Sequence, residues 1–280
     1  MTYKTILVCL TEKSSAEKLV NFATLVAEKF DAHLIGVHVA QEIEMHSTIS
    51  PYISSDLLDR MAENMREESK EYEKIFKACT GGKAMVSEWR PIRARADAIS
   101  EALIEHALPT DLIIMAQPDD QHDAQGQHEL HRKLILGAGR PILVMPHFGT
   151  FETVGDKIIL AWNGTRESAR AAHDALPFML TSKNVTILGV EGKNANEEDL
   201  RLYGHDLAVS LARHGVKSNV SNYRKGEIAV SDELLNAVSD NGADLIVMGA
   251  YGHSRVYDFV LGAATSGILA HMTVPTLFAH

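Results

Sequence analysis

The sequence that decides the fold is the segment from residue 244 to 265, which reads DLIVMGAYGHSRVYDFVLGAAT. It begins with an apolar run at residues 245–248, typical of a buried strand, and continues into Gly249 and Gly252. Gly262 follows ten residues later, before a stretch with helical spacing of apolar residues. Glycines let an anion approach the main chain, and a helix start presents free N–H groups. The segment therefore predicts a phosphate site and makes nucleotide binding the first hypothesis, although two glycines after a strand can also form a simple tight turn.

The chain repeats one pattern twice. Short apolar runs recur in the same order in both halves, separated by stretches with helical spacing. The corresponding pairs are residues 4–8 and 157–161, 34–37 and 187–190, 111–116 and 244–249, and 140–145 and 274–279. Strands that alternate with helices predict a parallel sheet covered on both faces. The self-similarity predicts a duplicated α/β fold.

Helices are predicted between these strands. The clearest apolar stripe runs over residues 16–30, and the first half has an additional charged helical stretch at residues 55–78. In the second half, Pro177 should kink or end a helix near Leu176. A length of 280 residues is about twice that of a common domain. We therefore expect one domain at residues 1–150 and a second at residues 151–280.

The spacing Gly-x2-Gly-x9-Gly at Gly249, Gly252 and Gly262 resembles the ATP-binding signature of the universal stress protein family. The resemblance covers essentially the whole chain as two copies. It implies an α/β fold of two tandem doubly wound domains, each with a five-stranded, mainly parallel sheet that is Rossmann-like and similar to the adenine nucleotide alpha hydrolases. It also implies that the two copies pair through their final strands, around residues 142–145 and 276–279.

The same resemblance implies a set of nucleotide-binding residues in the second half. Asn163 would face the sugar, the backbone at Val190 would recognise adenine, and the remaining residues would surround the phosphates. The full set is Asn163, Val190, Gly249, Gly252, His253, Gly262, Ala263, Ala264 and Thr265. Two of them depart from the family pattern, since Asn163 replaces an aspartate and Ala263 replaces a serine. These changes remove one charge and one hydroxyl contact.

The first half lacks the corresponding residues. Ala116 and Asp119 stand where the second half has its first two glycines, and His128 stands at the third. Thr11 takes the position of the asparagine. Side chains there would fill the phosphate site, and an aspartate would repel a polyphosphate. We therefore expect a degenerate first domain and one nucleotide per chain, bound by the second.

Composition restricts the partners. The chain has 27 basic and 37 acidic residues, so its formal charge is 27 − 37 = −10, which disfavours binding to nucleic acid or to an anionic membrane. The sequence has no signal stretch and no run long enough to cross a bilayer, which predicts a cytoplasmic location. Cys9 and Cys79 lie too far apart in sequence to suggest a disulfide framework or a CxxC metal site.

The sequence contains no Gly-x-Ser-x-Gly elbow, no HExxH and no P-loop lysine, so no catalytic residue is assigned. Another cluster, His122, Asp123, His128 and His131, could supply metal ligands, but a surface loop is favoured and no metal site is assigned.

The sequence thus predicts a cytoplasmic stress-response protein that acts as a regulator and binds an adenine nucleotide, which is ATP, ADP or AMP, with or without Mg²⁺. We expect no membrane or nucleic-acid partner; a homodimer and an unknown protein partner remain open. The alternatives are a slow ATP hydrolase and an interaction module that has lost the nucleotide.

Overall fold

The structure is a computed structural model that describes residues 2–42, 55–118, 124–191, 204–224, 228–252 and 262–280. The strands are β1 (Thr5–Cys9), β2 (His33–Glu42), β3 (Ser87–Arg95), β4 (Leu112–Ala116), β5 (Ile142–Met145), β6 (Lys157–Trp162), β7 (Asn184–Glu191), β8 (Ser218–Arg224), β9 (Leu245–Gly249) and β10 (Thr276–Ala279). The helices are α1 (Lys13–Phe30), α2 (Ser55–Thr80), α3 (Ile99–Ala107), α4 (Ala124–Gly137), α5 (Arg166–Asp174), α6 (Leu176–Thr181), α7 (His205–Arg213), α8 (Val230–Asn241) and α9 (Ala263–His271).

Residues 4–116 form one compact unit, which we call the first unit. Its strands have the order β3-β2-β1-β4 and are parallel. Leu7 of β1 lies opposite Ile35 of β2 and Ile113 of β4, and all three side chains are buried. A central strand of a parallel sheet is covered on both faces, which explains why these strands are continuous apolar runs.

Residues 1–3 and 117–280 form the second unit. Its sheet has the order β5-β10-β9-β6-β7-β8, in which β5 is antiparallel to β10 and the other strands are parallel. The order β8-β7-β6-β9 repeats the order β3-β2-β1-β4 of the first unit, in agreement with the internal repeat. The α/β fold with mainly parallel sheets is therefore confirmed.

The final strands of the two copies pair with each other. Leu277 of β10 lies opposite Leu143 of β5, and the pairing continues through Phe278 and Ile142. All four side chains are buried. Because β5 pairs with β10, it packs within the second unit although it ends the first copy of the sequence pattern. The boundary between the two sequence repeats, near residue 150, therefore remains a prediction. It differs from the boundary between the two compact units, which lies after residue 116.

The predicted helices are present with small differences in their ends. The helix expected at residues 16–30 begins earlier, at Lys13, and the charged stretch from residue 55 forms the long helix α2. Pro177 lies in the first turn of α6, just after α5 ends at Asp174, so the predicted break is confirmed. Among the residues that the structure describes, no helix is both long and apolar enough to cross a membrane.

Candidate functional site

The candidate site lies where the direction of the sheet connections reverses in the second unit. The chain passes from β6 to its neighbour β7 on one side, and later returns as β9 on the other side of β6. Leu160 lies opposite Val247, so β6 and β9 end at nearly the same level. In open α/β sheets, ligands bind in the crevice that forms at the carboxyl ends of such a strand pair. The turn after β6 begins at this edge. So does the turn after β9 that contains Gly249 and Gly252, which we call the glycine turn.

Asn163 follows β6 and closes a turn onto the start of α5. Its Oδ1 accepts hydrogen bonds from the Thr165 backbone N–H at 3.3 Å and from the Thr165 hydroxyl at 2.8 Å. The hydroxyl oxygen of Thr165 accepts in turn from the Ser168 N–H, and the Ser168 hydroxyl oxygen accepts from the Thr165 N–H. This capping box fixes the helix start. Asn163 itself is exposed, and the Nδ2 group of its amide takes no part in these bonds.

The backbone at Val190 lies one residue beyond the point where β6 stops pairing with β7. The last pair of that ladder joins Trp162 and Gly189, whereas Val190 still lies opposite Tyr223 of β8. Among the described residues, the edge of β7 that faces β6 therefore pairs with no strand at Val190 and Glu191. An open strand edge offers main-chain donors and acceptors to a ligand.

Gly249 ends β9 and touches the backbone of α5. A Cβ built on it would lie 2.5 Å from both the carbonyl carbon of Glu167 and the amide nitrogen of Ser168. These contacts are too short for any side chain, so packing of α5 on β9 already requires a glycine here. Its presence in the sequence pattern therefore has a structural cause that does not depend on a ligand.

Gly262 and Tyr251 join the turn after β9 to the start of α9. Gly262 has φ 90°, and a Cβ on it would lie 2.9 Å from the Tyr251 ring. Tyr251 has φ 53° and donates its backbone N–H to the hydroxyl oxygen of the buried Thr265 at 3.4 Å. The left-handed conformation at Gly262 favours glycine, and that at Tyr251 is uncommon for a tyrosine.

The N–H groups of Ala263, Ala264 and Thr265 precede the first hydrogen bond within α9. That bond runs from the Ser266 N–H to the carbonyl of Gly262 at 2.7 Å. Helix geometry leaves the first amides of a helix without an intrahelical acceptor, and the helix dipole makes this end positive. These amides are suited to an anion, whereas the Thr265 hydroxyl already contributes to the turn.

Glu167 is a residue of the site that the sequence did not indicate. Its side chain is only 7% exposed, and its Oε1 accepts a hydrogen bond from Nε of Arg166 at 3.0 Å. On the other side, a Cβ built on Gly252 would lie 2.7 Å from Oε2. Burial raises the pKa of this carboxyl, but hydrogen bonds from its own backbone N–H and from Arg166 outweigh burial and lower the pKa overall. An ionised carboxylate therefore lies against the predicted phosphate site, which comprises Gly249, Gly252 and residues 262–265.

Four residues singled out in the sequence lie outside the described part of the chain, namely His253, His122, Asp123 and Asp119. His131 is buried in α4, where its Nδ1 lies 2.8 Å from the carbonyl oxygen of Gln127. Within the described part of the chain, no group of three or more histidine, cysteine, aspartate or glutamate side chains is arranged to hold a metal ion.

Comparison with known proteins finds similarity to universal stress proteins, in sequence over part of the chain. The model of the universal stress protein family matches residues 156–280. A curated universal stress protein of Synechocystis is 27% identical over 149 residues, which are 52% of this chain and 48% of that protein. The chain thus spans about half the length of this curated relative.

Solved structures share the fold over nearly the whole chain. A universal stress protein from Archaeoglobus fulgidus is 15% identical with a TM-score of 0.70, covering 98% of this chain and 95% of that chain. A protein of unknown function from Pseudomonas aeruginosa is also 15% identical, with a TM-score of 0.56 and coverage of 99% and 92%. Because both structures are only 15% identical to this chain in sequence, they show similarity of fold and not of function.

Proposed function

We propose that this chain is a member of the universal stress protein family, whose model matches residues 156–280, and that its second half binds one adenine nucleotide. The observation that carries the proposal is the meeting of two segments at the switch point of the second unit. The turn after β6 and the glycine turn after β9 begin at the same sheet edge. The hydrogen bond from the Tyr251 N–H to the Thr265 hydroxyl oxygen connects the glycine turn to the start of α9. This is where α/β sheets bind nucleotides.

The residues present fit such a ligand. The Nδ2 group of Asn163, for which no hydrogen bond to a described residue is seen, can donate to a ribose hydroxyl, and the edge of β7 at Val190 can bond the polar edge of adenine. The first amides of α9, at Ala263, Ala264 and Thr265, suit the phosphates, together with the glycine backbone of the turn and His253. Mg²⁺ would accompany the phosphates of ATP or ADP and offset their charge. No catalytic residue is part of this proposal.

We place this protein in the cytoplasm as a stress-response regulator. The nucleotide would stabilise one conformation or assembly over another, which requires different affinities for the two states. The first half would serve as a structural or partner-binding copy, because Ala116 takes the place of Gly249.

Calorimetric titration with ATP, ADP and AMP tests the proposal. We expect one site per chain in the wild-type protein and at least a tenfold lower affinity in Gly252→Val, because the new side chain needs space that Glu167 occupies. Gly82→Val is the matched control. Gly82 also lies in a loop, with φ 76° and no neighbouring atom within 4 Å of a built Cβ, and it belongs to the first unit. Equal affinity in wild type and Gly252→Val would contradict the assigned phosphate site.

A further inference from the structure

Glu167 places a fixed negative charge where the proposed phosphates would bind. The residue follows the first position of α5, and the packing of α5 on β9 holds its backbone against Gly249. The side chain is 7% exposed, so it cannot turn to solvent without leaving its packed position. Its Oε2 occupies the side of Gly252 on which a Cβ would point.

The positive groups around this carboxylate do not remove its effect on a ligand. Arg166 bonds Oε1, but the guanidinium side chain is 75% exposed and therefore strongly hydrated. Oε2, which faces the glycine turn, is the oxygen nearer to Gly252. Like charges repel more strongly at a buried position than in water, since the effective dielectric constant is lower. A phosphate bound at this turn is therefore repelled by the negative charge of Glu167.

We propose that Glu167 determines which phosphate chain the site accepts, favouring adenosine monophosphate over ATP when divalent cations are absent. The inference rests on the proposed function and deepens it. ATP brings more negative charge than AMP to the same turn, so the repulsion from Glu167 grows with the number of phosphates. The start of α9 carries only about half a positive charge, which offsets a smaller share of the charge of a triphosphate than of a monophosphate. A divalent cation on the phosphates offsets the excess charge and reduces the discrimination.

The test compares ATP and AMP affinity in EDTA and in Mg²⁺ for wild type, Glu167→Gln and the control Glu152→Gln. Glutamine keeps the shape and removes the charge, while Glu152 is an exposed acid of the same unit. In EDTA we expect Glu167→Gln to strengthen ATP binding at least tenfold and AMP binding no more than threefold. The control should change neither. Equal changes for both ligands, or none, would overturn the proposal.

A second measurement needs no variant. In the wild-type protein, Mg²⁺ should raise ATP affinity at least tenfold relative to EDTA and leave AMP affinity within threefold. An ATP affinity that is insensitive to Mg²⁺ and equal to that of AMP would overturn the role of Glu167 while leaving nucleotide binding intact. If neither ligand binds to wild type or to Glu167→Gln under either condition, the proposed function itself fails, and the inference fails with it.

Discussion

Gly249 and Ser168 lie so close that a Cβ on the glycine would be 2.5 Å from the serine amide nitrogen. This contact brings the start of α5 directly onto the end of β9. It also separates the roles of two glycines that look equivalent in sequence, because Gly252 faces the end of a side chain, that of Glu167, rather than a backbone. A flexible side chain can move by a small amount, whereas the backbone of a packed helix cannot do so without cost.

Gly249→Ala should therefore destabilise the protein even without nucleotide. We expect the free energy of unfolding to fall by about 3 kcal/mol, because the added methyl group forces α5 and β9 apart. Urea denaturation measures the change. Gly139→Ala is the control, since Gly139 has φ 60° but open space around it, and only backbone strain of about 1 kcal/mol is expected. Equal losses in the two variants would show that the contact with Ser168 carries no special cost.

Thr165→Ala should remove the side-chain cap of α5 and one of the two hydrogen bonds that Asn163 Oδ1 accepts from Thr165. The Thr165 hydroxyl both accepts from Ser168 and donates to Asn163. Loss of an N-cap side chain costs about 1 kcal/mol. Thr165→Ser should recover most of this stability, since serine keeps the hydroxyl. If alanine and serine at this position unfold at the same urea concentration, the cap does not stabilise the helix.

Gly36 and Phe76 should be energetically coupled in the first unit. A Cβ on Gly36 would lie 2.5 Å from two carbons of the Phe76 ring, which is itself buried. We expect Gly36→Ala to cost about 2 kcal/mol through overpacking. Phe76→Leu leaves room for the methyl group, so the double variant should be at least about 1 kcal/mol more stable than the sum of the single effects. Simple additivity in this double-mutant cycle would contradict the contact.

The two thiols should differ in reactivity. Burial raises the pKa of Cys9 from 9.0 to about 12, whereas Cys79 is partly exposed and its pKa is raised by burial and by Glu17. At pH 8 a thiol reagent should modify the native wild-type protein only at Cys79, and native Cys79→Ser should not react until it is unfolded. Rapid labelling of native Cys79→Ser would contradict the burial of Cys9.

The raised pKa of Cys9 also predicts that the protein becomes less stable as the pH rises in the alkaline range. The folded state binds the thiol proton more tightly than the unfolded state does, so this contribution is complete below about pH 9 and is lost as the pH rises towards 12. Tyr72 acts in the same direction, since burial and nearby Glu68 raise its pKa from 10.0 to about 12. The urea midpoint should therefore fall above pH 9.

The central strands of the sheet could be predicted from sequence because they are continuous apolar runs, whereas the edge strands β3 and β8 are rich in polar residues. Residues 245–248 and 111–116 show this most clearly, and their place in a repeat also indicated which strands are last in each copy. Pairing of residues 142–145 with 276–279 followed from the family resemblance and is confirmed.

The finer parts of the site could not be read from the sequence, because they depend on how distant segments pack. The position of Glu167 beside Gly252 follows from α5 lying on β9, a contact between segments far apart in the chain. The positive φ of Tyr251 has no residue-type signal, since glycine rather than tyrosine is usual there.

Identifying what the freshly purified protein releases on denaturation tests the central claim most directly. Mass spectrometry of the released small molecules, quantified per chain, should yield about one adenine nucleotide. The Gly252→Val variant, purified in parallel, should release at least tenfold less. An empty wild-type protein that also fails to bind added ATP, ADP or AMP would contradict the account and favour an interaction module without a nucleotide.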